Sequence, residues 1–160
     1  MAVNPLDYIG YYGPILNFGL VIGNIYRRIY YLFAFIIGSI VNYFINVWIK
    51  DIVQEPRPFG QIPFIDHEQL TGTNLYGFPS GHAQMAVFAW IFIAMVSAHQ
   101  PFMIIITGMI SAMTVFQRWK YRRHSAMQLF AGTVIGGAFA WFVVKLTQYI
   151  LYEKYHGFLL

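Results

Sequence analysis

Between Arg28 and Lys50 lie 21 residues, Ile29 to Ile49, without one acidic or basic side chain. Wound as a helix at about 1.5 Å per residue, that run is about 30 Å long, the thickness of a bilayer's hydrocarbon core. Four further apolar segments follow the same pattern. They run from about Tyr8 to Tyr26, with Pro14 as an expected kink, from His82 to Ala98, from Pro101 to Gln117, and from Ser125 to Val144. The third and fourth segments in chain order fall short of the roughly 20 residues that span comfortably, so a locally thin bilayer or little tilt is expected there. After Lys145 the helix is expected to leave the bilayer, with Tyr149, Tyr152 and Tyr155 suited to the interface. Only 10% of residues are charged, against about 25% in soluble domains, and the mean hydropathy is +0.54. The expected fold is therefore all-α, a polytopic membrane helix bundle of about five transmembrane helices, with residues 1–160 forming one domain. No cysteine is present, which excludes disulfides, thiol catalysis and a Cys-ligated metal. The opening "MAVNPLD" lacks the basic start of a secretory signal, so no cleavage is expected.

One connection is long. It runs from Lys50 to Pro79 and holds Pro56, Pro58, Pro63, Gly60, Gly72 and Gly77, which forbid a regular helix. An irregular loop of that length in so small a chain points to function. It follows the second segment, and the basic stretch "RWKYRRHS" follows the fourth. Two crossings separate them, so both are expected on one side of the membrane. Gly19 with Gly23, and Gly132 with Gly136, are small-xxx-small pairs suited to close helix packing.

The polar residues gather in three places: "KDIVQEPRP", with Lys50 and Arg57; "PSGH", Pro79 to His82; and "RWKYRRHSAMQ", with Arg118, His124 and Gln128. Singly each has an ordinary reading. Lys50 suits a snorkelling helix end, the arginines suit positive flanks, and His82 suits an interfacial histidine. Together they resemble the phosphatidic acid phosphatase type 2 superfamily. Its signature is Lys, six residues, Arg-Pro; then Pro-Ser-Gly-His; then Ser-Arg, five residues, His, three residues, Asp. The first two blocks match in full. In the third, Arg118 and His124 match at the right spacing, whereas Gln117 replaces Ser and Gln128 replaces Asp. The resemblance covers about Ile40 to Gly137, and against a family core of six helices this chain is one N-terminal helix short.

Elementary chemistry agrees with the resemblance. A phosphate ester or diphosphate carries several negative charges. With no metal signature, and no cofactor expected, protein cations must neutralise them: forked Arg57 and Arg118, and Lys50 as a point charge. Ser80 and Gly81 open a helix whose free N–H groups and positive dipole end attract an anion. That explains a histidine at the mouth of a hydrophobic helix, since His82 lies on its first turn. The resemblance implies that His124 is the nucleophile and becomes a phosphohistidine. It implies that His82 protonates the departing oxygen and then acts as base on water. Gln128, one turn beyond His124, is expected to reach its ring and orient it, with a further group fixing the amide.

Other polar residues carry less. Asn42, Asn46 and Lys50 share a helix face, which suits either an inward look at the site or interhelical hydrogen bonds. Asp66, His67 and Glu68 are consecutive and suit a solvated loop better than a metal site; His99 and His156 receive no role. Discounting the three expected phosphate ligands, three basic residues remain on the catalytic side against four on the other, so charge assigns no orientation. The expected partners are the lipid bilayer and an amphiphilic phosphate or diphosphate, not nucleic acid. The run "WIKDIVQEPRP" followed by "YGFPSGH" resembles the dolichyl pyrophosphate phosphatase branch, which with the glucose-6-phosphatase branch tends to carry Gln at the position of Gln128. A lipid phosphate or polyprenyl diphosphate is the expected substrate. The competing expectation is a small channel or scaffold with a degenerate site, favoured by the altered third block.

Overall fold

The computed structural model describes residues 3–64 and 72–156. Asp66, His67 and Glu68, and the side chains of Tyr155 and His156, lie outside that description. Among the described residues the chain forms five α-helices and a short 3-10 turn at Gly72–Leu75, with no sheet.

Helix α1, Pro5–Ile25, begins earlier than the apolar pattern suggests because Asn4 and Asp7 build a reciprocal cap and Pro5 occupies the first turn. Pro14 lies inside it. Helix α2, Ile29–Val53, runs a turn past the uncharged stretch and carries Lys50 on its last turn; Gln54, at φ 50°, closes it by returning its N–H to Lys50 O. Helix α3 is Gly81–Val96, α4 is Pro101–Lys120, and α5 is Ala126–His156. Helices α2, α4 and α5 are long and apolar enough to cross a membrane. Two of the five expected spans meet that standard less well. Helix α3 has 16 residues, about 24 Å, and α1 is diluted by tyrosines, glycines, Pro14 and two asparagines.

The helices are inside-out relative to a water-soluble bundle. On α2, Phe44 and Trp48 are 63% and 66% exposed, whereas Asn42, Asn46 and Lys50 are buried. Apolar side chains facing outward meet lipid, and the polar groups turn inward to find partners. The chain is a multi-pass integral membrane protein. Short α3 is the hub and packs against all four other helices. Around it lies a core of Phe35, Phe88, Phe92, Val21, Ile93 and Val144. Buried amides pin the interfaces. Asn17 Nδ2 donates to Ser111 Oγ at 2.9 Å and Thr107 O at 3.1 Å. Gln84 bridges Asn42 Oδ1 at 2.8 Å and Asn46 Nδ2 at 2.8 Å.

The glycine pairs divide. A Cβ on Gly132 or Gly136 would fall 2.4 Å from Ser80 O or 2.1 Å from Gln84 O, so this pair is what lets α5 lie against α3. Gly19 and Gly23 do not pack: both are exposed, with nothing within 4 Å of a Cβ. The glycines of α1 that do touch a neighbour are Gly10 and Gly13, against Met113, Thr114 and Gln117 of α4.

Candidate active site

Three chain segments converge at the end of the bundle where α3 begins. Lys50, 4% exposed, reaches from α2 and donates to Tyr76 O at 2.5 Å. The loop then doubles back. Pro56 pairs with Tyr76 in an isolated antiparallel bridge, and Gly77 N donates to Glu55 O at 2.8 Å. Arg57, held extended between two prolines, is thereby aimed inward, and its Nη1 donates to Arg123 O at 3.1 Å and lies 3.4 Å from His124 Nε2. Arg118 lies on the last turn of α4; its Nη2 is 3.1 Å from His82 Nδ1, and its guanidinium lies 5.3 Å from the centre of the Tyr11 ring. His124 sits in the turn between α4 and α5, 3% exposed, with Nδ1 2.9 Å from Gly77 O.

These contacts assign both imidazoles. A carbonyl can only accept, so His124 carries its proton on Nδ1 and presents a lone pair at Nε2, where Arg57 can only donate. Arg118 likewise can only donate, so His82 accepts at Nδ1 and bears its proton on Nε2. Burial, then the charges of Arg57, Arg118 and Lys50, hold the His124 imidazole well below the ordinary histidine range, against a weaker opposing pull from Gly77 O.

One cavity of about 500 Å³ collects the set: Lys50, Arg57, Gly81, His82, Arg118 and His124 all line it. Its lining has two guanidinium groups, those of Arg57 and Arg118, the amine of Lys50, and no carboxylate among the described residues, so it suits an anion. No cluster of three metal-ligating side chains occurs among the described residues. A second, wider groove of about 620 Å³ between α3, α4 and α5 is walled by Trp90, Phe116, Trp119 and Phe130 and has no ionisable lining. The first cavity is therefore the candidate site.

Two expected site residues are not where the motif would put them. Ser80 is fully buried and does not line the cavity; its Oγ caps α3 by accepting from Ala83 N, and its own N–H goes to Gln128 O at 3.0 Å. Gln128 does not reach the His124 ring. Its Nε2 donates to Glu55 Oε1 at 2.6 Å and Pro56 O at 2.9 Å, and its Oε1 accepts from Ser125 N at 3.1 Å. The ring's partner is the Gly77 carbonyl instead. A further group does fix the amide, and that group is Glu55.

The motifs missed the α1 wall. Tyr11, Tyr12, Pro14 and Ile15 line the cavity, and the Tyr11 ring lies 5.7 Å from that of His82. Nothing in α1 repeats a signature, and only packing brings it to the site. Asn46 does both things its helix face allowed, lining the cavity and bonding Gln84.

The PAP2 superfamily profile matches residues 27–152. The chain belongs to the PAP2 superfamily. Among its relatives, Dolichyldiphosphatase 1 of Mus musculus is 30% identical over 145 residues, covering 79% of this chain and 57% of that protein. Dolichyldiphosphatase 1 of Plecturocebus moloch is 29% identical, covering 87% of this chain and 63% of the relative. The chain thus spans about three fifths of the length of these relatives. The crystal structure of a transmembrane PAP2-type phosphatidylglycerolphosphate phosphatase from Bacillus subtilis shares the fold, with a TM-score of 0.70 at 19% identity over 92% of this chain and 80% of that one. Helix α1 lies outside the PAP2 match, although it closes one side of the cavity.

Proposed function

We propose that this PAP2 protein is a metal-independent phosphatase that hydrolyses a lipid phosphate or polyprenyl diphosphate through a phosphohistidine. One observation carries the reading: a bare imidazole nitrogen and a proton-bearing one flank a single cavity lined by three cationic side chains. Arg57, Arg118, Lys50 and the N–H groups at the start of α3 hold the phosphoryl oxygens. His124 Nε2 attacks phosphorus and the bond to the leaving oxygen breaks; Gly77 O steadies the Nδ1–H as the ring becomes a phosphoimidazolium. In the free site His82 carries one proton. As phosphate draws the Arg118 donors away from Nδ1, His82 takes a second proton from solvent water at the cavity mouth, which it delivers to the leaving oxygen. Neutral again, it removes a proton from water. The oxygen attacks phosphorus, and the P–N electron pair returns to His124.

The lipid character of the substrate is supported by where the cavity opens. Helices α1 and α2 barely touch each other, and the cavity wall between them is Tyr12, Ile15 and Tyr43, 43%, 69% and 56% exposed. A tail can leave sideways into hydrocarbon while the phosphate stays on the cations. The names of the relatives favour a polyprenyl diphosphate within this class. The competing channel or scaffold reading draws on Gln128 replacing the usual carboxylate, yet the job that carboxylate would do is occupied by the Gly77 carbonyl.

The test is phosphate release by purified protein from a short-chain lipid phosphate and a polyprenyl diphosphate, in EDTA. Wild type should be active in chelator and His124→Ala inactive. An acid-labile phosphoenzyme should form on wild type and on His82→Ala with a good leaving group. Trapping it on His124→Ala would reverse the two histidines, and equal inactivity of wild type and mutant would favour the scaffold.

A further inference from the structure

Glu55 falls within the first signature block only at one of its six unspecified positions and does not line the cavity, yet the path from it leads straight to the nucleophile. Its carboxylate accepts from Gln128 Nε2 at 2.6 Å, a charge-assisted distance, while the carbonyl of the next residue, Pro56, takes the other amide proton at 2.9 Å. Both donors of the amide are thus spent on one chain segment, and Oε1 is left facing Ser125 N at 3.1 Å. A flipped amide would set oxygen against oxygen at both Glu55 and Pro56.

That fixed amide lies flat on Gly77. A Cβ on Gly77 would be 2.4 Å from Gln128 Oε1 and 2.6 Å from its Cδ. On its other side Gly77 is tied by its own N–H to Glu55 O at 2.8 Å. Pinned between the Glu55 main chain and the amide that the Glu55 side chain fixes, the Gly77 carbonyl has one direction left, toward His124 Nδ1. The same Gln128 also accepts through its main-chain oxygen from Ser80 N, which starts the helix bearing His82.

We propose that Glu55 is a positioning residue of the active site: acting through Gln128 and Gly77, its carboxylate holds the His124 ring in plane with Nε2 toward the phosphate. An acceptor-only side chain is what the position requires. A glutamine there could turn its own NH₂ onto that of Gln128 and release it. This proposal rests on His124 being the nucleophile.

The test is steady-state kinetics on a short-chain lipid phosphate with three variants. Glu55→Ala should lower kcat about tenfold, as loss of an orienting partner does. KM should stay within about twofold, because Lys50, Arg57 and Arg118 are untouched. The acid limb of its kcat/KM profile should move to lower pH. Those three cations still face His124, and the acceptor that favours its protonated form is loosened. Gln128→Glu sets two carboxylates against each other and should cost about a hundredfold. Adding Glu55→Gln to Gln128→Glu restores the bond between the two side chains, though not the one to Pro56 O, and should recover part of that loss. General loosening of the fold would give no such recovery. Should Glu55→Ala fail to fold in detergent, the isosteric Glu55→Gln takes its place with the same expected split. Glu55 variants with wild-type kcat and pH profile, a rise in KM in place of a fall in kcat, or a double variant no better than Gln128→Glu would each overturn the proposal. A wild-type chain that releases no phosphate would instead overturn the phosphatase reading.

Discussion

At His124 the proposed mechanism sets a ring that must stay neutral to attack against surroundings that must be positive to hold phosphate. One set of charges can serve both. Arg57 Nη1 at 3.4 Å, with Arg118 and Lys50 behind it, disfavours the imidazolium, and burial adds the larger share. If His124 is the nucleophile proposed above, protonation removes it, and activity should fall as pH drops through the His124 pKa. In wild type the acid limb of kcat/KM should accordingly lie below about 6.5. Arg57→Gln removes the strongest of the charge effects, so the same limb should move upward, toward the ordinary histidine value. Turnover should fall by about one to three decades with the lost phosphate donor. An unmoved limb in Arg57→Gln would mean that burial alone sets the nucleophile's proton affinity. The cations were legible in the sequence because side-chain chemistry at fixed spacing identifies them. The partner of His124 was not, because a main-chain carbonyl belongs to every residue and leaves no mark on composition. The expectation that Gln128 would touch the ring rested on helical spacing. It failed because an amide with two donors found two acceptors, Glu55 and Pro56, on the other side.

At the scale of elements, the helices were legible as apolar runs, while their lengths depended on caps and neighbours. Asn4 and Asp7 start α1 ahead of its apolar stretch, and α5 continues as helix to His156, well past Val144. Glycine spacing gave two identical signals with opposite outcomes, since a pair of small residues marks a possible seam and only a facing helix makes it one. The consequence is measurable. Gly136→Ala and Gly132→Ala push a methyl group against main-chain oxygens that cannot rotate away, 2.1 and 2.4 Å off. Each should cost about 1–3 kcal/mol or more, read as a lower melting temperature in detergent. Because the atoms that must give way belong to Ser80 and Gln84, beside His82, activity should fall as well. Gly19→Ala and Gly23→Ala meet open space and should be neutral or stabilising by up to about 1 kcal/mol. Comparable losses at both pairs would mean that α1 is packed on its outer face too.

For the whole molecule, the informative fact is that the cavity is closed by four helices but sealed by only some of them. Helices α2, α3 and α4 and the loop after α2 bring the cations and His82, whereas α1, outside the PAP2 match, brings only aromatic and aliphatic side chains. It is fastened to α4, through Lys120 and Tyr121 on Asp7 at 2.7 and 2.9 Å, and it scarcely touches α2. A wall attached along one edge leaves a lateral slot along the other, lined by Tyr12 and Tyr43 at the mouth of the cavity. The lipid substrate proposed above would need that slot for its tail, and a small soluble phosphate ester coming from the aqueous side would not. The absence of cysteine makes the slot testable without background. In Tyr12→Cys/Tyr43→Cys, a short bifunctional thiol reagent should lower turnover of a long-chain lipid phosphate about tenfold or more. Turnover of a small aryl phosphate should change by less than about twofold, since the reacting groups keep their geometry. Each single cysteine variant treated with the same reagent should keep both activities. Equal loss on both substrates would mean that bridging distorts the site, and undiminished lipid turnover would mean that the tail leaves by another route.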